Sequence, residues 1–587
     1  MTGIDTLLAD NLDLWTSAIA RKSAGGRGRS RKFRLHGIDK LRSLILDLAV
    51  RGKLVPQDPE DEPASELLKR INPLSGKATK FRQNPLDKRD VPFEIPPTWL
   101  WARLGDTCIL ENGDRGKNYP NKSALTATGV PFVNAGHLQD GRIDVENITY
   151  IPDALFNRLG SGKFKVGDIL FCLRGSLGKA ALVTGVSMGA IASSLVIVRF
   201  SEFVDAKYGL MYFASPLAVQ MVRRYDNGTA QPNLSSRDLG KFLLPLPPLA
   251  EQRRIVAKVE ELMALCDRLE AGTYEAIDAH QFLVTELLTT LTASRDTAEL
   301  AGNWARIETH FDTLLITEDS VDQLKQTILE LAVMGRLVPQ DSNHEPASEL
   351  LKRIRAEKAE LTKKGQAKKS KLLSSPDQTK PFALPPGWAW SSFSELSLGE
   401  EAGWSPQCEP YPKTGSSWGV LKVSAVSWGE FRPEENKALP DSVQPRAELQ
   451  VAPNDFLISR ANTSELVARS VVVGMEVEGR LIISDKIVRI FFTKNVSNQF
   501  MNLVNSSAYA RQYYAGVAGG TSSSMKNVSR SQIGSLLVPL PPKPEQDKIV
   551  KKYNVLCESC DALKRQLATA MQGQLALADA IVAKAVE

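Results

Sequence analysis

The chain has 587 residues, which is long enough for several domains. Its hydrophobic fraction of 43% and charged fraction of 24% are ordinary for a soluble protein. No apolar run reaches the roughly 18 residues of a membrane span, and the N-terminus has no apolar signal region. We therefore expect a cytoplasmic protein with no membrane partner. The net charge of +6 permits a nucleic-acid partner without establishing one.

Metal and disulfide chemistry are not expected from this composition. Six cysteines are too few and too scattered for a disulfide framework. Cys557 and Cys560 form a lone C-x-x-C on a helical pattern, and without a second pair packing is a better interpretation than zinc or redox chemistry. The five histidines stand far apart, so no metal site is predicted.

The first stretch of the chain combines a short helix with a basic linker. Residues 1–20 predict an amphipathic helix, and residues 21–34 are rich in Arg, Lys, Gly and Ser. A second basic segment lies at 358–371. We interpret both basic segments as solvated linkers, and non-specific phosphate contact is the alternative.

An internal repeat organises the rest of the chain. Residues 38–71 recur at 321–354 with 23 of 34 positions identical. The apolar spacing of each copy predicts a helix that ends at Gly52 or Gly335, because glycine suits a helix C-terminus. A second, short helix is predicted near Ser65. Duplication of this kind supports a pseudo-two-fold arrangement.

Two further motifs occur twice. Residues 92–101 match 381–390 in a pattern of Pro and Trp, which we interpret as a packing clamp, with base stacking as the alternative. The motif L-P-L-P-P-x-x-E-Q-x-x-I-V lies within 243–256 and 537–550, with Val538 in place of a Leu. A proline cluster continues neither a strand nor a helix, so this motif predicts a junction. Its Glu falls near the start of a helix, where the helix dipole favours negative charge.

Each junction opens a helical stretch of about 40 residues, or about 60 Å at 1.5 Å per residue. The apolar positions step by four and three residues, which is coiled-coil spacing. This seam consists of Ile255, Val259, Leu262, Cys266 and Leu269 in the first helix and Ile549, Tyr553, Leu556, Cys560 and Leu563 in the second. We expect the two helices to pack on each other and to run antiparallel.

The predicted fold class is α+β, with two globular mixed α/β domains separated by an antiparallel pair of long coiled-coil helices in a pseudo-two-fold internal repeat. Short apolar runs between Gly, Asn and Asp indicate the strands of the globular domains. The predicted organisation is an N-terminal helical region with a basic linker (1–100), a first divergent domain (101–242), a central region with a long helix and the repeated helical block (243–380), a second divergent domain (381–536) and a C-terminal long helix (537–587).

This layout resembles the specificity subunits of Type I restriction–modification systems. The resemblance covers nearly the whole chain and rests on the twice-used proline motif, its long helix and the two dissimilar domains between repeated blocks. The extended block before the first domain resembles the longer Type IB subgroup. The resemblance implies that the divergent domains are target-recognition domains, that each reads one half of a split DNA sequence, and that the helices set the unread spacer.

The resemblance also implies partners and an absence of catalysis. Expected partners are double-stranded DNA, two adenine-methylating modification subunits, and restriction subunits that translocate and cleave DNA. The chain itself is expected to bind no cofactor, with S-adenosylmethionine, ATP and Mg on the partner subunits. Its role would be to direct adenine methylation and restriction, as in phage defence.

Candidate DNA-binding residues are those whose side chains suit base edges or phosphates and that lie in polar loops. In the first domain they are Arg115, Lys117, Asn118, Tyr119, Lys122, Asn134, Arg174, Ser176, Lys179, Gln231, Asn233, Ser235, Ser236 and Arg237. In the second domain they are Lys422, Arg460, Asn462, Thr463, Lys486, Ser523, Lys526, Asn527 and Arg530. Asn134 and Lys422 occupy aligned positions but differ in side-chain chemistry, as expected of two domains that share a fold and recognise different DNA sequences.

The alternative hypothesis assigns the chain to a different functional class, namely a coiled-coil scaffold protein whose end domains bind proteins and not DNA. A third hypothesis is that the chain is itself a methyltransferase or a nuclease. The segment 159–164 lacks the first Gly of a phosphate loop, and Phe164 replaces its Ser or Thr. No amino-methyltransferase motif is present. Asp485 and Lys486 faintly resemble a nuclease site, but adjacent residues of a strand would point to opposite faces.

Overall fold

The computed structural model describes residues 3–21, 33–74, 86, 91–116, 119–228, 231–364, 380–427, 429–477, 479–522 and 525–587. The chain divides into two compact units. Unit 1 consists of Met1–Ile277 with Ala570–Glu587, and unit 2 consists of Asp278–Thr569.

Two long helices contribute to both units, and shorter helices belong to one unit each. Unit 1 contains α1 (Gly3–Asp10), α2 (Leu12–Ser17), α3 (His36–Val50), α4 (Ala64–Leu74), α5 (Leu104–Thr107), α6 (Asp153–Arg158), α7 (Ala206–Ala214), α8 (Pro216–Tyr225) and α9 (Ser236–Leu239). The first long helix is α10 (Leu249–Ala293). Unit 2 contains α11 (Thr297–Thr309), α12 (Phe311–Leu314), α13 (Glu318–Val333), α14 (Ala347–Lys363), α15 (Phe393–Leu396), α16 (Asn498–Ser506), α17 (Ala508–Val517) and α18 (Arg530–Gly534). The second long helix is α19 (Lys543–Val586).

In the described residues of unit 1, the strands form two four-stranded sheets and three two-stranded ribbons. They are β1 (Ala20–Arg21), β2 (Phe33–Arg34), β3 (Leu100–Arg103), β4 (Cys108–Asn112), β5 (Val130–Val133), β6 (Leu138–Gln139), β7 (Arg142–Ile143), β8 (Thr149–Ile151), β9 (Lys163–Lys165), β10 (Ile169–Cys172), β11 (Ala180–Leu182), β12 (Met188–Ile191), β13 (Leu195–Phe200) and β14 (Leu243–Leu246). One sheet has the order β11-β10-β13-β4 and is antiparallel throughout. The other has the order β8-β5-β12-β9, in which β5 and β12 are parallel.

Unit 2 has a similar set of strands. They are β15 (Ala389–Ser392), β16 (Ser397–Ala402), β17 (Gly419–Leu421), β18 (Asn436–Ala438), β19 (Phe456–Ser459), β20 (Ala461–Asn462), β21 (Ser470–Val472), β22 (Leu481–Ile482), β23 (Ile487–Phe492), β24 (Gly519–Ser522), β25 (Met525–Asn527) and β26 (Leu537–Leu540). The sheets have the orders β16-β23-β19-β21, β18-β17-β22 and β20-β25-β24. Strands β17 and β22 are parallel, like β5 and β12 in unit 1.

The proline motif is a strand followed by a helix, which corrects part of the prediction. Pro245 lies inside β14, opposite Trp101 of β3, and Pro539 lies inside β26, opposite Trp390 of β15. A two-stranded ribbon tolerates proline because its edge needs no N–H for a further strand. The junction itself falls where predicted, since α10 starts at Leu249.

A buried hydrogen bond joins the first turn of α10 to the Pro and Trp block. Trp99 Nε1 donates to Glu251 Oε2 at 3.0 Å, and both residues are buried. The neighbouring Gln252 donates to Pro247 O and accepts from the backbone N–H of Asp205 at 2.8 Å. The predicted packing clamp is therefore confirmed for Trp99, whose burial excludes base stacking.

Helix α3 ends as predicted. Gly52 has φ +70°, and the N–H of Lys53 donates to Leu48 O, as in a Schellman C-cap. A Cβ atom at Gly52 would also stand 2.5 Å from Cγ of Pro96, so the repeated block and the Pro and Trp block meet here. Gly335 has φ +73° at the end of α13, with the same contact to Pro385.

The seam residues are buried or partly buried, and a third helix joins each seam. In unit 1, Ile255, Val259, Leu262 and Cys266 share one core with α3, with α1 and with Ala578 of α19. In unit 2, Cys560 is buried in one core with α13 and with the last part of α10, and Leu556 and Leu563 pack against that core. Leu269 is partly buried against the same core as Ile255. In unit 2, Ile549 is buried in a second core with β19 and α16, and Tyr553 packs against that core and against the core of Cys560. The sequence analysis did not predict the third helix.

Three smaller predictions have mixed outcomes. Residues 3–17 form two helices, α1 and α2, instead of one. The short helix predicted near Ser65 is α4. Most of the two basic segments (22–32 and 365–371) lies outside the described residues. In the part of the chain that the structure describes, no helix is both long and apolar enough to cross a membrane.

Candidate nucleic-acid interface

Apart from Asn134, the candidates of unit 1 fall into three groups along the chain, at 115–122, 174–179 and 231–237. Described members of these groups meet at residues 192–194, which follow β12. Arg115 Nη2 donates to Ser193 O at 3.5 Å, and the N–H of Ser193 donates to the hydroxyl of Tyr119 at 3.5 Å. Gly113 allows this approach, because a Cβ atom there would stand 2.8 Å from Ala192 O. The first group is therefore anchored to residues 192–194.

The second and third groups are connected to the same segment. The N–H of Leu173 donates to Ser194 O at 2.8 Å, and the N–H of Leu234 donates to Leu173 O at 2.9 Å. Beside this ladder, Arg174 Nε donates to Asn233 Oδ1 at 3.0 Å. Residues 231–237 therefore lie against the glycine-rich turn at 174–179, which follows β10.

A further bond closes the arrangement. Asn112 Nδ2, at the end of β4, donates to Ser236 Oγ at 3.0 Å. Ser235 is the N-cap of α9 and accepts from the N–H of Asp238. We call the first surface the exposed candidates of unit 1 together with residues 192–194. Its exposed predicted members are Arg115, Tyr119, Arg174, Ser176, Lys179, Gln231, Ser235 and Arg237.

Asn134 has a structural role in this surface. It follows β5, and its side chain accepts from the N–H of Gly136 at 2.8 Å, which caps a short 3-10 turn. The neighbouring His137 is buried, and burial lowers the pKa of its imidazole. Lys117, Asn118 and the side chain of Lys122 lie outside the described residues.

One buried and two half-buried charged residues support the strands beneath the first surface. Arg199 donates to Asp168 Oδ2 at 2.7 Å and to Glu111 Oε2 at 3.3 Å, and Asp168 is 1% exposed. The Asp168 carboxylate raises the pKa of Arg199. Glu111 also accepts from the N–H of Gly162 at 2.6 Å. This triad, which the sequence analysis missed, fixes the strand that leads into Asn112.

Unit 2 has the same backbone frame with different side chains. The N–H of Arg460 donates to Lys486 O at 2.8 Å, and the N–H of Val528 donates to Arg460 O at 2.9 Å. Arg460, Lys486 and Val528 therefore occupy the places of Leu173, Ser194 and Leu234. The frame shares one further close approach, since a Cβ atom at Gly403 would stand 2.3 Å from Ser484 O, like Gly113 against Ala192.

The buried triad also recurs in unit 2. Arg489 lies 3.1 Å from Asp455 and 3.2 Å from Glu401, and its side chain is 7% exposed. Asp455 and Glu401 take the places of Asp168 and Glu111 on the matching strands, while Arg489 lies at the register of Ile197, two residues before that of Arg199. The two units thus share their supporting charges and differ where the surface faces solvent.

The predicted candidates of unit 2 lie around this frame. Asn462 Nδ2 donates to Ser427 Oγ at 2.9 Å, and β20 pairs with β25, which brings Asn462 opposite Lys526. Lys422 begins a 3-10 turn like that of Asn134. We call the second surface the set Lys422, Arg460, Asn462, Thr463, Asp485, Lys486, Lys526, Asn527 and Arg530. Ser523 lies outside the described residues.

Several of these candidates already have partners within unit 2. Lys422 Nζ lies 3.1 Å from Glu435 Oε2, and the carboxylate of Glu435 has a lowered pKa because Ser424 and Lys422 donate to it. Arg530 pairs with Glu400 at 3.3 Å, and Lys526 donates to Gly520 O. These three cations are held in place but are less available than free side chains.

Asp485 and Lys486 correct a prediction. They lie in a turn between β22 and β23 and not in a strand, so the pleat argument does not apply to them. The carboxylate of Asp485 accepts from the hydroxyl of Ser405, and the N–H of Asp485 donates to Ser405 Oγ at 3.1 Å. The described residues contain no cluster of His, Cys, Asp and Glu that could hold a metal.

The chain is similar in sequence to known proteins of one family. Residues 96–279 match the family model described as the Type I restriction modification DNA specificity domain. The chain is 39% identical to the Type I restriction enzyme EcoEI specificity subunit of Escherichia coli, over 98% of this chain and 99% of that protein. It is 36% identical to the EcoAI specificity subunit of Escherichia coli, over 99% and 100%. The solved HsdS subunit from Thermoanaerobacter tengcongensis is 20% identical, over 84% of this chain and 98% of that one, with a TM-score of 0.42.

Proposed function

Because the chain belongs to the family of Type I restriction–modification specificity subunits, we propose that its two surfaces read the two halves of a split DNA target. The chain recognises DNA sequence and is not itself catalytic, since methylation and cleavage belong to partner subunits in this family. Membership of the Type IB subgroup stays a prediction. The family membership does not favour the protein-binding scaffold.

One observation carries the proposal of two half-sites. The backbone bonds around Leu173 recur around Arg460, while the side chains of the two surfaces differ. A shared frame holds each surface against a duplex in the same way, and different side chains meet different base edges. Two half-sites with different sequences are the expected result.

We further propose the domain roles and the spacer. Residues 101–242 and 381–536 would be the target-recognition domains, and α10 and α19 would run antiparallel between them. Support comes from each unit separately. In unit 1 the first part of α10 shares a core with the end of α19, and in unit 2 the last part of α10 shares a core with the start of α19.

The proposed partners are double-stranded DNA, two modification subunits and restriction subunits, in the cytoplasm. S-adenosylmethionine, ATP and Mg would be bound by those partners and not by this chain. Phosphate contacts from exposed cations such as Arg115, Lys179 and Arg237 would position the duplex, because most protein–DNA hydrogen bonds go to the backbone.

The test is a genome-wide map of methylated adenines in cells that carry this chain and its modification subunit. The map is repeated with residues 101–242 replaced by the same domain of a relative. We expect a split motif in which one half changes and the other half and the spacer remain. A swap that leaves the motif unaltered would place specificity elsewhere.

Two controls show whether a changed motif reflects DNA recognition by the exchanged domain. The purified complex should lose DNA affinity steeply as salt rises, because phosphate neutralisation releases counterions. The reciprocal swap of residues 381–536 should change the other half of the motif. If methylation disappears in one swap, co-purification with the modification subunit distinguishes failed assembly from failed recognition.

A further inference from the structure

We propose that Arg460 and Asp485 together read one G·C base pair in the half-site bound by the second surface. This inference rests on the proposed function and adds the base pair and the two residues that select it. Arg460 would donate to the guanine edge, and Asp485 would accept from the cytosine amino group.

The backbone of Arg460 is held in place, while its side chain has no hydrogen-bond or ion-pair partner among the described residues. Its N–H and its C=O are both fixed, to Lys486 and to Val528, and its side chain is only half exposed. Its Nε atom is buried and makes no hydrogen bond, and its guanidinium pairs with no carboxylate in the described part of the chain. Because Nε is buried, an external acceptor can reach this guanidinium only through its terminal nitrogens, and these are the atoms that donate to a guanine edge.

Asp485 is the matching acceptor. It is exposed, and its position is fixed by a reciprocal pair of hydrogen bonds with Ser405. A carboxylate on a surface that meets DNA is repelled by the phosphates. Hydrogen bonding to a base amino group offsets that repulsion, and Asp accepts from the N4 amino group of cytosine in the major groove.

The backbones of the two residues are adjacent. Arg460 bonds through its backbone to Lys486, which directly follows Asp485. A G·C pair presents the O6 and N7 acceptors of guanine beside the N4 donor of cytosine, which matches a donor next to an acceptor. The first surface has the buried Leu173 and the uncharged Ser193 at the same two positions, so only the second surface is expected to carry this requirement.

The experiment uses the full chain with its modification subunit. Methylated adenines are mapped for the unchanged chain, for Arg460→Lys and for Asp485→Ser, and the half-site of unit 2 is assigned by exchanging residues 381–536. Arg460→Lys keeps the positive charge but removes the two-pronged donor geometry. Ser193→Ala is the matched control in the first surface, because Ser193 acts there through its backbone.

We expect both variants to relax the same G·C position in the second half-site, with discrimination reduced about 10- to 100-fold. Ser193→Ala should leave both halves unchanged. The inference is overturned if the second half-site contains no G·C pair, or if Arg460→Lys retains the full motif. If Asp485→Ser abolishes assembly, Asp485→Ala, which has no side-chain acceptor, is mapped instead, and an unchanged motif would also overturn the inference. Absence of any split motif in the unchanged chain would refute the proposed function itself.

Discussion

Trp99 donates its indole N–H to the buried carboxylate of Glu251 at 3.0 Å, across 152 positions of sequence. The same bond joins Trp388 and Glu545 at 2.9 Å in unit 2. The Glu of the proline motif therefore connects the long helix to the repeated Pro and Trp block. This contact explains why both motifs occur together and why both occur twice.

Removing the indole donor should destabilise unit 1. Trp99→Phe leaves a buried carboxylate oxygen without its donor, which costs about 1–3 kcal/mol in free energy of unfolding. Urea denaturation followed by circular dichroism measures the loss. Trp101→Phe is the control, since that half-buried ring packs edge-on against Phe93 and should lose less. Equal losses in the two variants would argue that ring volume, and not the hydrogen bond, is what matters.

The stability of unit 1 should depend on pH through Glu251. Burial raises the pKa of its carboxyl above the ordinary 4.5, so the fold favours the protonated form. The stabilisation of the unchanged chain relative to Glu251→Gln is present below about 4.5 and is lost as pH rises through the raised pKa. Thermal melts of both proteins between pH 4.5 and 8 test this expectation. A difference in Tm that is constant across this range would contradict it.

The triad of Arg199, Asp168 and Glu111 predicts a strong and local effect. Arg199→Met leaves Asp168 buried and unpaired, which should cost about 3 kcal/mol in free energy of unfolding. Lys207→Ala is the control, because it removes the exposed pair with Glu260 and should cost under about 1 kcal/mol. In the methylation map, we expect Arg199→Met to weaken recognition of one half-site. Loss of both halves together would contradict a local role.

The seam of the first long helix predicts a position-specific failure. Leu262 is 2% exposed, so Leu262→Asp places an unpaired charge in the core shared with α3 and should prevent stable folding of the complex. Ala264→Asp, two residues away on the exposed side of the helix, is the matched control. Co-purification with the modification subunit and a thermal melt measure both. Normal assembly of Leu262→Asp would show that the seam does not pack as the structure indicates.

Arg174 offers a direct test of the first surface. Its Nε bonds to Asn233, which leaves its terminal nitrogens to face a duplex. If they contact a guanine edge, Arg174→Ala should reduce discrimination at one position of one half-site by about 1–3 kcal/mol. Asn233→Ala should give a smaller loss at the same position, because it only orients Arg174. Binding to oligonucleotides with each base substituted in turn gives the measurement, and equal affinity for all of them would exclude Arg174 as a reader.

The sequence alone determined the elements that depend on local periodicity and repetition. The stripe from Ile255 to Leu269, the helix end at Gly52 and the junction before Leu249 all follow from spacing and from backbone limits of Gly and Pro. The repeat also paired Asn134 with Lys422, and both residues begin a 3-10 turn after matching strands. Local rules suffice for such features because neighbours along the chain decide them.

Only the tertiary structure decided which distant residues meet. The sequence pattern did not mark Ser193 as a candidate and placed Asp485 in a strand, yet each lies in a loop where the loops of its unit converge. The sequence likewise did not predict the ion pair of Arg199 with Asp168 or the packing of α3 against the seam. These contacts join residues far apart in the chain, and strand order and helix packing create them. For the same reason Pro245 could enter a strand, because only the fold showed that its ribbon has a free edge.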